Sequence, residues 1–144
     1  MDKFMKTAIA ETKKGLCMGG IPIGSVLVKN GKIVGKGHNQ RVQKNNPILH
    51  AEIDCLENAG RIGSYKGTVL YSTLMPCFLC SGAIVQFGIK KVVVGESKNF
   101  KGAKKFLQSH GVKIIDLDLE ECKSLLKGFI QKNPLLWKED IGKL

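Results

Sequence analysis

Two short stretches of this 144-residue chain carry side chains whose types and spacing suit metal chemistry. The first is His50-Ala51-Glu52 and the second is Pro76-Cys77-Phe78-Leu79-Cys80. Each alone is a weak signal, because His-x-Glu arises by chance and a C-x-x-C pair also serves redox chemistry or packs as two core thiols. Together they offer one imidazole and two thiols, the nitrogen and sulfur donors that tetrahedral zinc prefers. A catalytic zinc takes three protein ligands and keeps one position open for water. One neutral histidine and two thiolates cancel the charge of the ion, so such a site can be buried. Cys77 and Cys80, at i and i+3, fall on one face of a helix. Pro76 suits a helix start, where its missing N–H costs nothing, and the helix dipole there favours thiolate over thiol. Glu52 lies two positions from His50, a poor spacing for two ligands on one helical face. A carboxylate beside metal-activated water can instead accept a proton and return it. A purely structural zinc is the competing reading. It needs a fourth protein ligand, for which Cys55 or His110 could be proposed, although neither sits in a second paired motif.

The elements that must position these residues follow from periodicity and turn chemistry. Phe4, Ala8, Ile9 and Leu16 recur near helical spacing, and Gly19-Gly20 ends that helix. The runs Ser25–Lys29 and Lys32–Val34 flank Asn30-Gly31, a hairpin signal because both turn residues tolerate positive φ. Gly35 and Gly37 follow without completing G-x-G-x-x-G, so no dinucleotide loop is indicated. His50–Ala59 reads as a helix stopped by Gly60, Thr68–Thr73 as a strand, and Met75-Pro76-Cys77 as the opening of a helix that runs to Gly88. Lys91–Gly95 is an apolar strand of the kind buried on both faces. A helix over Ala103–Ser109 leads through His110-Gly111 to a strand over Val112–Leu117. Asp118 or Glu120 then starts a helix carrying Leu125, Leu126, Phe129 and Ile130, Asn133-Pro134 breaks the chain, and a short last helix carries Trp137 and Ile141. Strands after Gly67 alternate with helices, which predicts an α/β fold with helices on both faces of one mixed sheet. No repeat, linker or low-complexity tract interrupts residues 1–144, which read as a single domain.

Composition narrows the class. Hydrophobic residues make up 43% of the chain and charged residues 24%, as in a compact soluble fold. No apolar run approaches the roughly 18 residues of a membrane span, and the N-terminal stretch is amphipathic rather than a secretory leader, so a cytoplasmic protein is expected. Five cysteines, an odd number, fit reduced thiols better than a disulfide framework. Cys17, Cys55 and Cys122 read as packed or inert, His110 as a helix cap, and His38 as ambiguous. The net charge of +11 raises a nucleic-acid reading. The lysines are scattered, however, with one cluster at Lys98, Lys101, Lys104 and Lys105, and such a distribution is ordinarily a solvated surface.

In combination, H-x-E…P-C-x-x-C is the signature of zinc-dependent base deaminases. The chain resembles the cytidine deaminase-like superfamily, and within it is similar to the fungal-type cytosine deaminases that act on the free base. The resemblance runs from about Gly19 to Gly142 and rests on Gly20-Ile21-Pro22-Ile23-Gly24, Gly37-His38-Asn39, Leu49-His50-Ala51-Glu52 and Leu56-Glu57-Asn58. It continues through Pro76-Cys77-Phe78-Leu79-Cys80-Ser81-Gly82-Ala83-Ile84, Val94-Gly95-Glu96, Asn99-Phe100 and Trp137-Lys138-Glu139-Asp140-Ile141-Gly142. The last segment is far more particular than the metal motifs, which belong to the whole superfamily.

The resemblance implies a three-layer α/β/α fold with a five-stranded mixed sheet, a homodimer, and one zinc ion per chain on His50, Cys77 and Cys80. It implies hydrolysis of cytosine to uracil and ammonia, a pyrimidine-salvage reaction on a small molecule, with Glu52 carrying the protons and no organic cofactor. Asn39 would bind the O2/N1 edge of the pyrimidine, helped by the backbone N–H of Ala51. Asp140 would accept from the exocyclic amine, and Phe100, Trp137 and Ile23 would line and cover the ring. By spacing alone Trp137 reads as a core aromatic and Asp140 as a solvated charge; only the resemblance gives them roles. Two departures stand out. Ala51 occupies a position where the closest pattern has glycine, and Met75 replaces a small polar residue, a change of little weight if only its carbonyl is used. A transfer-RNA adenosine deaminase, suggested by His50-Ala51-Glu52-Ile53 and the basic charge, and a guanine deaminase are the enzymatic alternatives. A zinc-stabilised nucleic-acid-binding domain is the rival from another class. Intact Glu52 argues against inactivity, and the absence of an aromatic-plus-basic stripe argues against dedicated nucleic-acid binding.

Overall fold

The computed structural model describes residues 2–144. Helix α1 (Lys3–Cys17) begins where the Asp2 carboxylate accepts from the Phe4 N–H at 2.7 Å, and it buries Met5, Ala8 and Ile9. Strands β1 (Gly24–Lys29) and β2 (Lys32–His38) form the expected hairpin, with Asn30 at φ 51° and Gly31 at φ 79° in its turn. β2 runs past Val34 to His38, further than sequence pattern suggests. Its two glycines permit close packing rather than a turn. A Cβ on Gly37 would lie 2.5 Å from Asp54 Oδ2 and 2.7 Å from the Cys55 nitrogen, and one on Gly35 would meet Ala59 and the Cys55 carbonyl. Helix α2 (Ala51–Ala59) therefore presses directly against β2.

The chain continues through β3 (Thr68–Ser72), α3 (Phe78–Phe87), β4 (Lys91–Val94), α4 (Lys104–Ser109), β5 (Lys113–Asp116), α5 (Glu120–Lys132) and α6 (Pro134–Asp140). The sheet has five strands in the order β2-β1-β3-β4-β5. β1 pairs antiparallel with β2 and β3, whereas β3, β4 and β5 are parallel, so the sheet is mixed as expected. Alternation along the strands sorts the core into two layers. Leu27, Leu70, Val92 and Val94 face Cys55 and Leu56 of α2, Ile84 of α3 and Leu107 of α4. Val26, Val28, Tyr71 and Val93 face Met5, Ala8 and Ile9 of α1 and Cys122 of α5. The result is a three-layer α/β/α arrangement. A third cluster gathers Ile21 and Ile23 before β1, Ala51 of α2, Leu74 after β3, Leu126 and Phe129 of α5, and Trp137 of α6.

Two details revise the sequence reading. α3 starts at Phe78, with Cys77 in the capping position, so Pro76 precedes the cap instead of occupying the first turn. There its carbonyl accepts from the Ala103 N–H at 2.9 Å, tying the segment after β3 to the one before α4. Cys17, read as packed or inert, is an exposed free thiol at the end of α1, whereas Cys55 and Cys122 are buried. The lysines at 98, 101, 104 and 105 are exposed. Among the described residues no helix is long and apolar enough to cross a membrane.

Candidate active site

Both metal motifs sit at the mouths of helices. His50 occupies the capping position of α2 and Cys77 that of α3, with Glu52 and Cys80 inside the respective first turns. The donor atoms of His50, Cys77 and Cys80 lie within 4.8 Å of one another, and His50 Nδ1 is 3.4 Å from Cys77 Sγ. Neither proposed fourth ligand joins them. Cys55 is buried in the core with its thiol pushed up to about 12, chiefly by burial, and exposed His110 hydrogen-bonds the Phe106 carbonyl through Nδ1 at 2.9 Å. The cluster is therefore a three-donor set of the catalytic kind.

Electrostatics test whether these residues fit zinc. The Cys77 thiol is lowered to about 4, first by a hydrogen bond from Cys80, then by His50. The Cys80 thiol is held well above its usual range by that same bond to Cys77, by burial and by the charge of Glu52. The pocket thus accepts one negative sulfur by itself, and a second only when a cation neutralises the pair. A divalent ion with thiolate affinity satisfies that demand. Burial, and after it the charge on Cys77, raises the Glu52 carboxyl to about 7.

Asp140 is the principal surprise relative to spacing alone. Far from being a solvated charge, its side chain is only 6% exposed. Its Oδ1 accepts from Asn39 Nδ2 at 3.3 Å and lies 3.4 Å from Arg41 Nε and 3.6 Å from His50 Nε2. Burial raises its carboxyl, and the charges of His50 and Arg41 oppose that rise. Asn39 is fully buried, with Oδ1 fixed by the Arg41 N–H at 3.0 Å.

One small cavity, about 20 Å³ in volume, brings the remaining residues together. Ile23, Asn39, His50, Ala51, Glu52, Cys77, Phe100, Trp137 and Asp140 all line it, and fully buried Cys80 stands behind. Phe100 and Trp137 meet edge to face with ring centroids 6.0 Å apart. Trp137 belongs at once to the third core cluster and to the cavity wall. Leu74, Met75 and Ile141 also line the cavity. Met75 matters through its side chain: it is 1% exposed, and a Cβ on Gly102 would come within 2.8 Å of its Cγ. Proximity to Pro76 and to the Trp137–Gly142 segment could have flagged Met75 and Ile141. Arg41, which reaches Asp140 and, at 3.1 Å, Glu139, gives no sequence signal.

Comparison with known proteins agrees with this geometry. Residues 1–96 match the family of the cytidine and deoxycytidylate deaminase zinc-binding region. The chain is 45% identical over 143 residues to a cytosine deaminase from Candida albicans, covering 97% of this chain and 95% of that one. It is 42% identical over 133 residues to a transfer-RNA-specific adenosine deaminase from Buchnera aphidicola, covering 90% and 85%. A solved deaminase that performs A-to-I editing at the transfer-RNA wobble position superimposes with a TM-score of 0.76 at 26% identity, over 86% of this chain and 99% of that one. The chain therefore belongs to the cytidine and deoxycytidylate deaminase family, as a hydrolytic enzyme whose cofactor is one zinc ion.

Proposed function

We propose that the protein hydrolyses free cytosine to uracil and ammonia. The observation that carries this reading is the placement of the C-terminal helix: α6 brings Trp137 and Asp140 into the wall of the same cavity that Glu52 and the metal donors His50 and Cys77 line. The relative that matches nearly end to end is a cytosine deaminase, and the shared length includes α6. Zinc, when bound by His50, Cys77 and Cys80, supplies Lewis acidity that makes water nucleophilic near neutral pH. Glu52 takes a proton from the attacking water and delivers it to ring N3, while oxygen adds at C4. Glu52 then carries the second proton to the exocyclic nitrogen, and the C4–N bond breaks to release ammonia. Asn39 and the Ala51 N–H hold the O2/N1 edge. Asp140, with Oδ1 engaged by Asn39 and Arg41, offers its other oxygen to the exocyclic amine. Phe100, Trp137 and Ile23 enclose the ring and exclude water.

The same reading treats residues 1–144 as one deaminase domain, because the last helix completes a cavity that α2 and α3 begin. It assigns the enzyme to pyrimidine salvage in the cytoplasm, as a homodimer. Phe78, Leu79 and Phe87 are exposed along α3, and an open groove of about 800 Å³ beside Phe87, lined also by Ile53, Leu56, Tyr65 and Ala83 with Glu57 and Arg61, supplies a largely apolar face for a second copy. Ammonia release from cytosine, cytidine, guanine, adenosine and an adenosine-bearing transfer-RNA stem-loop, measured side by side, tests the substrate. Cytosine should be turned over with by far the highest kcat/KM. Equal values for cytosine and cytidine would contradict the free-base reading. Faster deamination of the stem-loop would assign the chain to the transfer-RNA branch instead.

A further inference from the structure

A carboxylate with no exposure at all lies outside the catalytic cluster. Glu96, just beyond β4, is 0% exposed, and among the described residues no Lys, Arg or His pairs with it. Burial without a counter-ion is costly unless every lone pair finds a donor. Here the donors come from the next turn of chain. Oε2 accepts from the Lys98 N–H at 2.8 Å and the Asn99 N–H at 3.0 Å, and Oε1 accepts from Asn99 Nδ2 at 2.9 Å. Asn99 Nδ2 also donates to the Lys123 carbonyl of α5 at 3.0 Å, and the Glu96 carbonyl accepts from the Met75 N–H at 3.0 Å. Glu96 thus fastens the 96–99 turn to α5 on one side and, on the other, to the segment that delivers Cys77. The next residue after this turn is Phe100, which enters the cavity wall against Trp137.

A core position with no electrostatic partner would be filled more cheaply by an apolar side chain, so the charge is explained by the shape it imposes. We propose that Glu96, with Asn99, is a positioning residue: its carboxylate folds the 96–99 turn so that Phe100 closes the cavity over the substrate ring, which makes the pair a determinant of free-base selectivity. The inference rests on the cytosine reading for its substrate, but not for its geometry.

Glu96→Gln is the informative variant. It keeps an acceptor for the backbone N–H groups but sets an amide donor against Asn99 Nδ2. Trp137 is the only tryptophan of the chain, so its fluorescence reports the Phe100 contact without any turnover. Zinc-loaded Glu96→Gln should show a red-shifted emission like that of Phe100→Ala. Its KM for cytosine should rise roughly tenfold, within the range for directly coupled neighbours, with a smaller change in kcat and a narrowed cytosine-to-cytidine preference. In a Phe100→Ala background the same substitution should change KM less than about twofold, because the route of its action is already gone. Should Glu96→Gln fail to fold, Asn99→Ala, which leaves the carboxylate and both backbone bonds, should shift emission and KM in the same direction. A purely structural Glu96 would lower the melting temperature or the zinc-loaded yield yet leave emission, KM and selectivity at parental values; that result, or a full effect in the Phe100→Ala background, overturns the proposal. A parent enzyme inactive on cytosine would sink the cytosine reading instead, and the fluorescence arm would still decide the role of Glu96.

Discussion

Replacing Asp140 separates binding from architecture. If its free oxygen accepts from the exocyclic amine, Asp140→Ala removes a hydrogen bond to a charged group, about 1.5–3 kcal/mol. At about 1.4 kcal/mol per decade, kcat/KM for cytosine should fall roughly 10- to 150-fold. Asp140→Asn keeps a neutral acceptor. The difference between charged and neutral bonds, about 1–2 kcal/mol, predicts a milder loss of roughly 5- to 30-fold. Stability should also respond, because the side chain is buried. Arg41 and Asp140 are 9% and 6% exposed, and alanine strips Arg41 of one partner while Glu139 and the Pro47 carbonyl remain. Buried Asn39 Nδ2, which donates to Asp140 Oδ1, also loses its acceptor, and an unsatisfied donor of that kind costs about 1–3 kcal/mol, or a melting temperature lower by roughly 3–10 °C. Asp140→Asn should recover most of this, because its carbonyl still serves Asn39 and Arg41. Ammonia release, zinc content and thermal melting on the same preparations resolve the two effects. The reasoning is refuted if Asp140→Asn deaminates cytosine like the parent, or if the loss in either variant equals the unfolded or zinc-free fraction.

Purified protein should contain about one zinc per chain, and elemental analysis of His50→Ala and Cys77→Ala should find metal and activity lost together. Full zinc retention in both variants would overturn the ligand assignment. Glu52→Gln should keep its zinc while kcat falls by at least the roughly 10²- to 10⁴-fold of a lost general acid–base group, and near-parental single-turnover rates would end its role as proton carrier. Gly37→Ala should destabilise the fold by about 1–3 kcal/mol, because its methyl meets Asp54 and the backbone of α2. An unchanged melting curve would mean that β2 and α2 can separate at little cost.

What the sequence reveals is mostly local. Asn30-Gly31 specifies its own turn, and the i, i+3 spacing of Cys77 and Cys80 specifies its own face, so both are readable without a fold. His50 needs only the expectation that two helix mouths converge. β2 beyond Val34 is harder, because Gly35 and Gly37 look like punctuation until α2 is seen packed on them. Asp140 and Asn39 are 101 positions apart, and nothing in either neighbourhood announces the pairing. Resemblance to a family supplies their roles, yet even that does not disclose Arg41, whose contribution is a contact rather than a motif. Cys17 shows the reverse difficulty: a thiol one residue past a buried helical face points to solvent, and composition alone cannot say which side it takes.

The spacing of the site along the chain has a consequence for how the enzyme is made. All three metal donors have been synthesised once Cys80 is added, whereas the cover that closes the cavity waits for Trp137 and Asp140, about 60 residues later. At ribosomal rates of roughly 5–20 residues per second, that leaves an interval of about 3–12 s. During it the histidine and both sulfurs belong to a chain that has no α6 to cover them. In the mature protein His50 and Cys77 share their cavity with Phe100, Trp137 and Asp140. Birth order thus completes the metal donor set before the substrate cavity is complete.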